Sequence, residues 1–221
     1  MLAIGYAKMA SMTEQFISRK ARVFDFDDIL VGRERITRVS GLVFERLKPH
    51  KLPSLTLTDI SQLDLNYDRV AIPISSLKER VSFEFHARRN VYHRVKEELE
   101  RIATDGTDIY GNTGRSNKGE WVDMTDETLD KGKVRDYFKG IFYTPDGVRT
   151  TVSKAHVIQL LTEQYEQVEF DDDDPRTVLF IAQVFPNVRV NLVQHRSTGL
   201  LVSSRELDEL PNLRRVAVFG N

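Results

Sequence analysis

The amino-acid sequence predicts an α+β fold, in which a twisted antiparallel sheet with packed helices precedes a smaller hairpin, helix and sheet unit. Between residues 22 and 87, short runs rich in Val, Ile, Leu, Phe and Thr alternate apolar with polar side chains, which is the period of a β-strand. Four apolar residues then recur at helical spacing: Val91, Val95, Leu99 and Ile102. Because strands come first and helices follow, we expect segregated elements and not alternating ones.

Four segments follow one another along the chain. A helix-capping pattern predicts an N-terminal helix or leader in residues 1–21. Residues 22–103 form a β-rich unit with a helix at its carboxyl end. Residues 104–124 contain four glycines and few apolar side chains, which favours a flexible glycine-rich loop. Residues 125–221 form a second α+β unit, which contains an acidic linker at residues 169–175.

Local patterns predict the individual elements. Strands of the first unit are expected at residues 23–26, 36–44, 55–57, 70–74 and 81–85, and its helix at residues 90–103. The second unit is expected to contain a hairpin at residues 139–152, a helix that begins at Ser153, strands at 178–184 and 188–193, one helical turn from 203, and a strand at 215–219.

The composition excludes several classes of protein. The 221 residues include no cysteine, which excludes disulfide scaffolds, thiol nucleophiles and iron–sulfur clusters. No apolar run approaches the ~20 residues that a membrane helix needs, and the amino terminus lacks the pattern of a signal peptide. We therefore expect a cytoplasmic protein with no membrane partner.

No catalytic motif is visible in the sequence, so we expect no catalytic residue, no metal and no cofactor. Gly114 to Gly119 has the glycine spacing of a phosphate-binding loop, but Glu120 and Trp121 replace the lysine and the hydroxyl residue that such loops require. The five histidines lack metal-ligand spacing. We interpret the four consecutive aspartates of the acidic linker as a solvated charge run, because successive side chains on an extended chain point in opposite directions.

Basic and aromatic side chains interleave where the helix at residues 90–103 is predicted to begin. The basic residues lie at its start and the acidic ones toward its end, which opposes the helix macrodipole. A phosphate held by the free amides and the arginines would explain this order, and ion pairs within the helix explain it as well. The residues predicted to contact nucleic acid here are Arg88, Arg89, Tyr92, His93 and Lys96.

A second basic surface is predicted near the carboxyl end, on the polar face of the strand at residues 188–193. An ordinary solvent-facing sheet is the alternative interpretation. The residues assigned to this surface are Arg189, Asn191, His195, Arg196, Arg214 and Arg215. Three residues of the glycine-rich loop are predicted to form a flexible arm: Arg115, Lys118 and Trp121.

Although the net charge is −1, the charged residues are unevenly distributed: both ends of the chain are basic and the middle is acidic. From these patterns we predict a non-enzymatic nucleic-acid-binding protein, weakly sequence-specific for single strands, of the accessory or viral and phage regulatory kind. The first alternative is a protein–protein interaction or assembly module, and the second is a metal-dependent phosphodiester enzyme. The predicted partners are nucleic acid and a second protein or another copy of the chain.

Overall fold

The chain folds around a six-stranded sheet in which every neighbouring pair of strands is parallel. The computed structural model describes residues 19–32, 53–194 and 209–217. The strands, in chain order, are β1 Lys20–Phe24, β2 Val31–Gly32, β3 Asn90–Val91, β4 Asp108–Ser116, β5 Phe138–Thr144, β6 Gln167–Asp172, β7 Arg189–Gln194 and β8 Leu213–Ala217. Strands β2 and β3 form a separate antiparallel pair.

Helices lie on both faces of the sheet. They are α1 Leu57–Ser61, α2 Leu77–His86, α3 Val95–Thr104, α4 Gly119–Lys131, α5 Thr150–Thr162 and α6 Pro175–Val184, with a turn of 3-10 helix at Arg135–Tyr137. No helix within the described ranges is both long and apolar enough to cross a membrane.

The strand order is β5-β4-β1-β6-β7-β8, so the chain builds outward from β1 in one direction and then returns to build outward in the other. This is the order of a doubly wound α/β fold. Its direction reverses between β1 and β6, which pair in parallel. In open α/β sheets the crevice at the carboxyl ends of the strands, where the order reverses, is the place where ligands bind. The topology therefore predicts a ligand-binding site at the residues that follow β1 and β6.

The predicted antiparallel α+β fold is wrong. The parallel sheet also joins strands from the predicted segments 22–103 and 125–221, because β1 pairs with β6. Alternation of apolar and polar residues does not show whether strands pair in parallel, and a sheet that is covered by helices on both faces is the arrangement in which parallel strands occur. Residues 81–85, predicted as a strand, lie instead in α2, which has no fully buried residue and hence no apolar stripe to reveal it.

Two apolar layers hold the helices against the sheet. On one face, Val23 and Phe170 pack with Val157 of α5 and Ile181 of α6. On the other face, Phe24 packs in a cluster that also contains Val95 and Leu99 of α3 and Leu129 of α4. Burial of each such side chain contributes about 1.5–3 kcal/mol, and these layers hold the carboxyl ends of β1, β4 and β6 in fixed positions.

The segment predicted as a flexible loop, residues 104–124, contains all of β4 and the start of α4. Its glycines permit close packing here. A Cβ atom at Gly111 would lie 2.4 Å from the ring of Phe26, so only glycine fits against this ring. The predicted arm residues Arg115, Lys118 and Trp121 are all buried, with 3%, 5% and 5% of their surfaces exposed.

The predicted acidic linker, residues 169–175, is also part of the folded core. It forms the last four residues of β6 and the first residue of α6, and Asp171 and Asp172 are fully buried. Helix α6 includes the predicted strand at 178–184. It begins with Asp174 as its N-cap and Pro175 in its first turn, which is a pattern typical of a helix start. Its sequence nevertheless resembles that of a buried strand, because the helix is apolar on nearly all sides.

Several elements are confirmed with shifted bounds. The helix predicted at 90–103 is α3, the helix from Ser153 is α5, the strand at 188–193 is β7, and the strand at 215–219 is β8. The predicted hairpin at 139–152 is wrong, since β5 is followed by α5 and pairs with β4. The predicted elements at residues 36–44 and 203–206, and nearly all of residues 1–21, lie outside the described residues.

Candidate active site

Three carboxylates meet at the carboxyl end of the sheet, where the strand order reverses. Asp25 follows β1 directly, Asp172 is the last residue of β6, and Asp173 follows it. Each of the three places a carboxylate oxygen within 4.8 Å of the others. The backbone N–H of Asp25 donates to the carbonyl of Asp171 at 2.9 Å, which ties the end of β1 to β6. The doubly wound topology thus brings together residues from distant parts of the sequence.

Lys154 of α5 is the positive charge in this cluster. Its ammonium group lies 2.7 Å from Oδ2 of Asp172 and 3.0 Å from Oδ1 of Asp25, and the residue is 3% exposed. Asn112 of β4 positions the lysine by donating from its side chain to the carbonyl of Lys154 at 3.1 Å. Burial opposes the charged lysine, but the adjacent Asp172 and Asp25 outweigh it and raise the pKa of Lys154 above its usual value.

The cluster carries more negative charge than one lysine can neutralise. Burial is the main cause that raises the pKa of Asp25 and of Asp173, and it raises that of Asp172 to about 7. Repulsion by Asp25 also raises the pKa of Asp172 and of Asp173, and repulsion by Asp172 raises that of Asp173. With its three carboxylates ionised and its lysine protonated, the cluster has a net charge of −2, which a divalent cation would balance. Hard cations prefer carboxylate oxygen ligands, so the residues fit Mg²⁺ or a similar ion.

The other two aspartates of the acidic run have different roles. Asp171 lies on the opposite side of β6, where its carboxylate pairs with Arg22 at 2.9 Å. Asp174 caps α6, where its carboxylate accepts from the N–H of Arg176 and from the hydroxyl of Thr177. The interpretation of these four residues as a solvated charge run is therefore wrong. The alternation of side chains along β6 separates Asp171 from Asp172, as the strand period requires.

Asp27, two residues beyond Asp25, is held by arginines. Arg115 donates to both of its oxygens, at 2.7 and 3.1 Å, and Arg89 donates to one of them at 3.0 Å. The Nε2 atom of His86 lies 3.6 Å from the other oxygen. Burial alone would raise the pKa of Asp27, but the adjacent cations outweigh it, Arg115 most strongly, and hold that pKa well below its usual range.

Thr113 lies near the carboxyl end of β4, two residues before Arg115. It is fully buried, and its hydroxyl oxygen accepts from the backbone N–H of Arg115 at 3.2 Å. The hydroxyl keeps its own proton to donate elsewhere. Gly114, which follows it, is exposed, so a ligand can approach the backbone here.

The residues assigned to nucleic acid from the sequence have varied environments. Arg89 is 7% exposed and binds Asp27, whereas Arg88, His93 and Lys96 are exposed and Tyr92 is half-buried against Gly32. Arg189 and Asn191 of β7 both contact Glu169. Arg214 and Arg215 are exposed on β8, while His195 and Arg196 lie outside the described residues. The structure thus brings Arg89 and Arg115 together at Asp27. The contact of these residues with nucleic acid, and the predicted partners, stay predictions.

Sequence reasoning missed the residues that form the cluster: Asp25, Lys154, Asp172 and Asp173. A usable signal is present for three of them. Asp25 ends the apolar run that begins at Val23, and the aspartate pair at 172–173 ends the apolar alternation of Val168 and Phe170. Acidic residues directly after buried strands are expected at the ligand-binding edge of an α/β sheet.

The fold is shared with solved structures of hydrolases. An L-2-haloacid dehalogenase matches with a TM-score of 0.52 and 13% identity, over 90% of this chain and 94% of that one. A putative phosphatase from Clostridium difficile matches with a TM-score of 0.51 and 15% identity, over 90% and 94% of the two chains. CbbY from Rhodobacter sphaeroides, solved in complex with phosphate, matches with a TM-score of 0.50 and 13% identity, over 90% and 93%.

These similarities show the fold alone, which is an α/β fold around a six-stranded parallel sheet. No protein-family model matches the chain, and no curated protein sequence matches it. The interpretation as a non-enzymatic, regulatory nucleic-acid-binding protein is wrong, because the fold is that of hydrolases and phosphatases.

Proposed function

We propose that this chain is a metal-dependent phosphohydrolase that cleaves phosphate monoesters with Asp25 as its nucleophile. The observation that carries the proposal is the cluster of Asp25, Asp172, Asp173 and Lys154 at the point where the strand order reverses. Two of the solved structures with this fold support phosphate chemistry, one described as a putative phosphatase and one as a complex with phosphate. We place this activity in the cytoplasm, because a chain without cysteine is compatible with the reducing conditions there.

Asp25 is the best candidate nucleophile among the three carboxylates. Asp172 is fully buried, whereas Asp25 is 6% exposed and Asp173 is half-buried. Of the two accessible carboxylates, Asp25 directly follows β1 and lies 3.0 Å from the ammonium of Lys154. It is followed two residues later by Asp27, which lines a pocket of about 310 Å³. Carboxylates serve as nucleophiles in phosphoryl transfer by forming an aspartyl phosphate. Asp172 and Asp173 would instead hold a divalent cation together with Asp25.

The proposed reaction has two steps. An oxygen of Asp25 attacks phosphorus, the bond between phosphorus and the leaving oxygen breaks, and the leaving alkoxide takes up a proton from solvent water to depart as an alcohol. Water then attacks the phosphorus of the aspartyl phosphate, which releases inorganic phosphate and a proton and restores Asp25. A bound Mg²⁺ would offset the charge of the phosphoryl oxygens.

The residues around Asp25 have distinct roles in this proposal. The ammonium of Lys154, at 3.0 Å, favours the ionised, nucleophilic form of Asp25 and so opposes the larger effect of burial, which raises the pKa of Asp25. The hydroxyl of Thr113 has a proton to donate to a phosphoryl oxygen, since its own oxygen accepts from the backbone N–H of Arg115. Such donors stabilise charge that develops in the transition state.

The proposal is tested by phosphate release from p-nitrophenyl phosphate and acetyl phosphate in the presence of Mg²⁺. We expect turnover that EDTA abolishes and that excess Mg²⁺ restores. The Asp25→Asn variant, which removes the nucleophile at nearly unchanged volume, should lose at least 1,000-fold in kcat, on the order of ~4 kcal/mol of barrier. Turnover in Asp25→Asn close to that of the parent protein would exclude Asp25 as the nucleophile.

A further inference from the structure

Lys154 and the candidate cation site use the same two carboxylates. The ammonium of Lys154 lies 2.7 Å from Oδ2 of Asp172 and 3.0 Å from Oδ1 of Asp25. These are two of the three aspartates whose carboxylate oxygens lie close enough together to bind a divalent cation, and Asp173 is the third. A positive charge of the chain itself is therefore already bound to carboxylates that the cation needs.

The carboxylate of Asp172 has a partner on each of its oxygens. Oδ2 accepts from the ammonium of Lys154, and Oδ1 accepts from the backbone N–H of Asp174 at 2.9 Å. A cation that coordinates Asp172 must share one of these oxygens with its present donor, which is possible because each carboxylate oxygen can accept twice. Sharing with Lys154, however, brings two positive charges close together where both side chains are buried, and like charges repel strongly away from water.

Asp173 differs from the other two aspartates of the cluster. No hydrogen bond or ion pair joins its carboxylate to another group in the part of the chain that the structure describes. Its side chain is half-buried, so a cation can reach it from solvent. A bound cation would thus have Asp173 to itself and would share Asp25 and Asp172 with Lys154.

We propose that Lys154 is a built-in competitor of the divalent cation, because its ammonium occupies the carboxylates of Asp25 and Asp172 and so lowers the affinity of the site for Mg²⁺. This inference rests on the cation site of the proposed function and adds how the filling of that site is controlled. The ammonium holds the carboxylates together in the metal-free chain. The cation must then bind against its charge, so the site fills at a higher Mg²⁺ concentration than the three carboxylates alone would need.

Removal of the charge tests the competition. Lys154→Gln keeps a hydrogen-bond donor but no charge, and we expect it to bind Mg²⁺ at least ~10-fold more tightly than the parent protein, as measured by isothermal titration calorimetry after treatment with EDTA. Lys118→Met is the matched control. Lys118 is also buried, but its ammonium binds Glu79 and Asp146, so its replacement should change the affinity for Mg²⁺ less than about threefold.

Equal or weaker binding of Mg²⁺ by folded Lys154→Gln would overturn the inference, since the ammonium would then arrange the carboxylates for the cation and not compete with it. If the variant does not fold in EDTA, its near-UV circular dichroism is followed while Mg²⁺ is added. Recovery of the native spectrum at a concentration that saturates the parent protein would support the inference, because the cation then replaces the ammonium. A chain that stays unfolded would overturn it.

Turnover of acetyl phosphate by the parent protein separates this inference from the proposed function. Mg²⁺-dependent turnover, with no effect of Lys154→Gln on the affinity for Mg²⁺, would overturn the inference and leave the proposed function standing. Tighter Mg²⁺ binding by Lys154→Gln, with no turnover in the parent protein, would overturn the proposed function alone. Absence of Mg²⁺ binding in both proteins would overturn both.

Discussion

The ammonium of Lys154 lies 2.7 Å from the carboxylate of Asp172, and both side chains are almost completely buried. A buried pair of this kind is costly to break, because removal of one partner leaves an uncompensated charge away from water. Asp172 also accepts from the backbone N–H of Asp174 at 2.9 Å. The pair therefore joins α5 to the end of β6, and it holds the candidate site in place before any ligand binds.

Replacement of Lys154 by methionine should destabilise the protein strongly. The cluster would keep three carboxylates without their ammonium partner, so we expect a loss of ~3–5 kcal/mol in the free energy of unfolding, measured by urea titration. Lys139→Met is the matched control. Lys139 pairs with Asp108 at 2.6 Å, but both side chains are partly exposed, at 49% and 35%, so its loss should cost no more than ~1 kcal/mol. Equal losses of unfolding free energy in Lys154→Met and Lys139→Met would show that the buried pair stabilises the fold no more than an exposed pair does.

Mg²⁺ should stabilise the parent protein through Asp173 but not through its neighbour Asp174. At a concentration 100 times its dissociation constant, a bound cation raises the free energy of unfolding by ~2.7 kcal/mol, and the melting temperature rises with it. Asp173→Asn should lose most of this shift. Asp174→Asn should keep it, since asparagine is also a good N-cap for α6. An unchanged Mg²⁺ shift in Asp173→Asn would contradict the proposed cation site.

In the absence of divalent cations, the stability of the folded chain should fall as the pH rises through the acidic range. The raised pKa of Asp172, about 7, means that the folded state binds more protons than the unfolded state between pH ~4 and ~7. Stability from this group is thus present below the usual pKa of an aspartate and is lost as the pH rises toward 7. Asp172→Asn should remove part of this slope, which urea unfolding at several pH values would measure. A slope of the same size in the variant would show that Asp172 does not titrate in this range.

Gly111→Ala should test whether the segment once predicted as a loop is a packed strand. The added Cβ atom would lie 2.4 Å from the ring of Phe26, and such overpacking costs ~1–3 kcal/mol. Gly140→Ala is the control on the adjacent β5, since its Cβ would meet Tyr110 at an ordinary 3.4 Å. Thermal unfolding should separate the two variants clearly. A neutral Gly111→Ala would mean that β4 is not packed as described.

Local patterns predicted α3, which shows one buried side and one exposed side. Val95, Leu99 and Ile102 identify α3 because only one face of this helix is buried. Strand β4 could not be recognised in the same way, since Gly111, Asn112 and Thr113 are residue types of loops and are buried here by the neighbouring strands. Helix α6 was mistaken for a strand because its apolar residues surround it on nearly all sides.

The candidate site was harder to predict than the fold, because its members come from different parts of the chain. Asp25 and Asp172 become neighbours only when β1 pairs with β6 in parallel. An antiparallel arrangement of the same strands would place their carboxyl ends at opposite edges of the sheet. The error in strand direction therefore concealed the carboxylate cluster, and with it the contribution of Lys154.

The central claim is that Asp25 accepts the phosphoryl group, and trapping of the covalent intermediate tests it most directly. The protein would be mixed with Mg²⁺ and excess acetyl phosphate, quenched in acid within milliseconds, digested and analysed by mass spectrometry. The account predicts a phosphoryl group on the peptide that contains Asp25, at up to one per chain, and none on that peptide in Asp25→Asn. Rapid Mg²⁺-dependent turnover with no phosphorylated peptide, or with the phosphoryl group on a different residue, would contradict it.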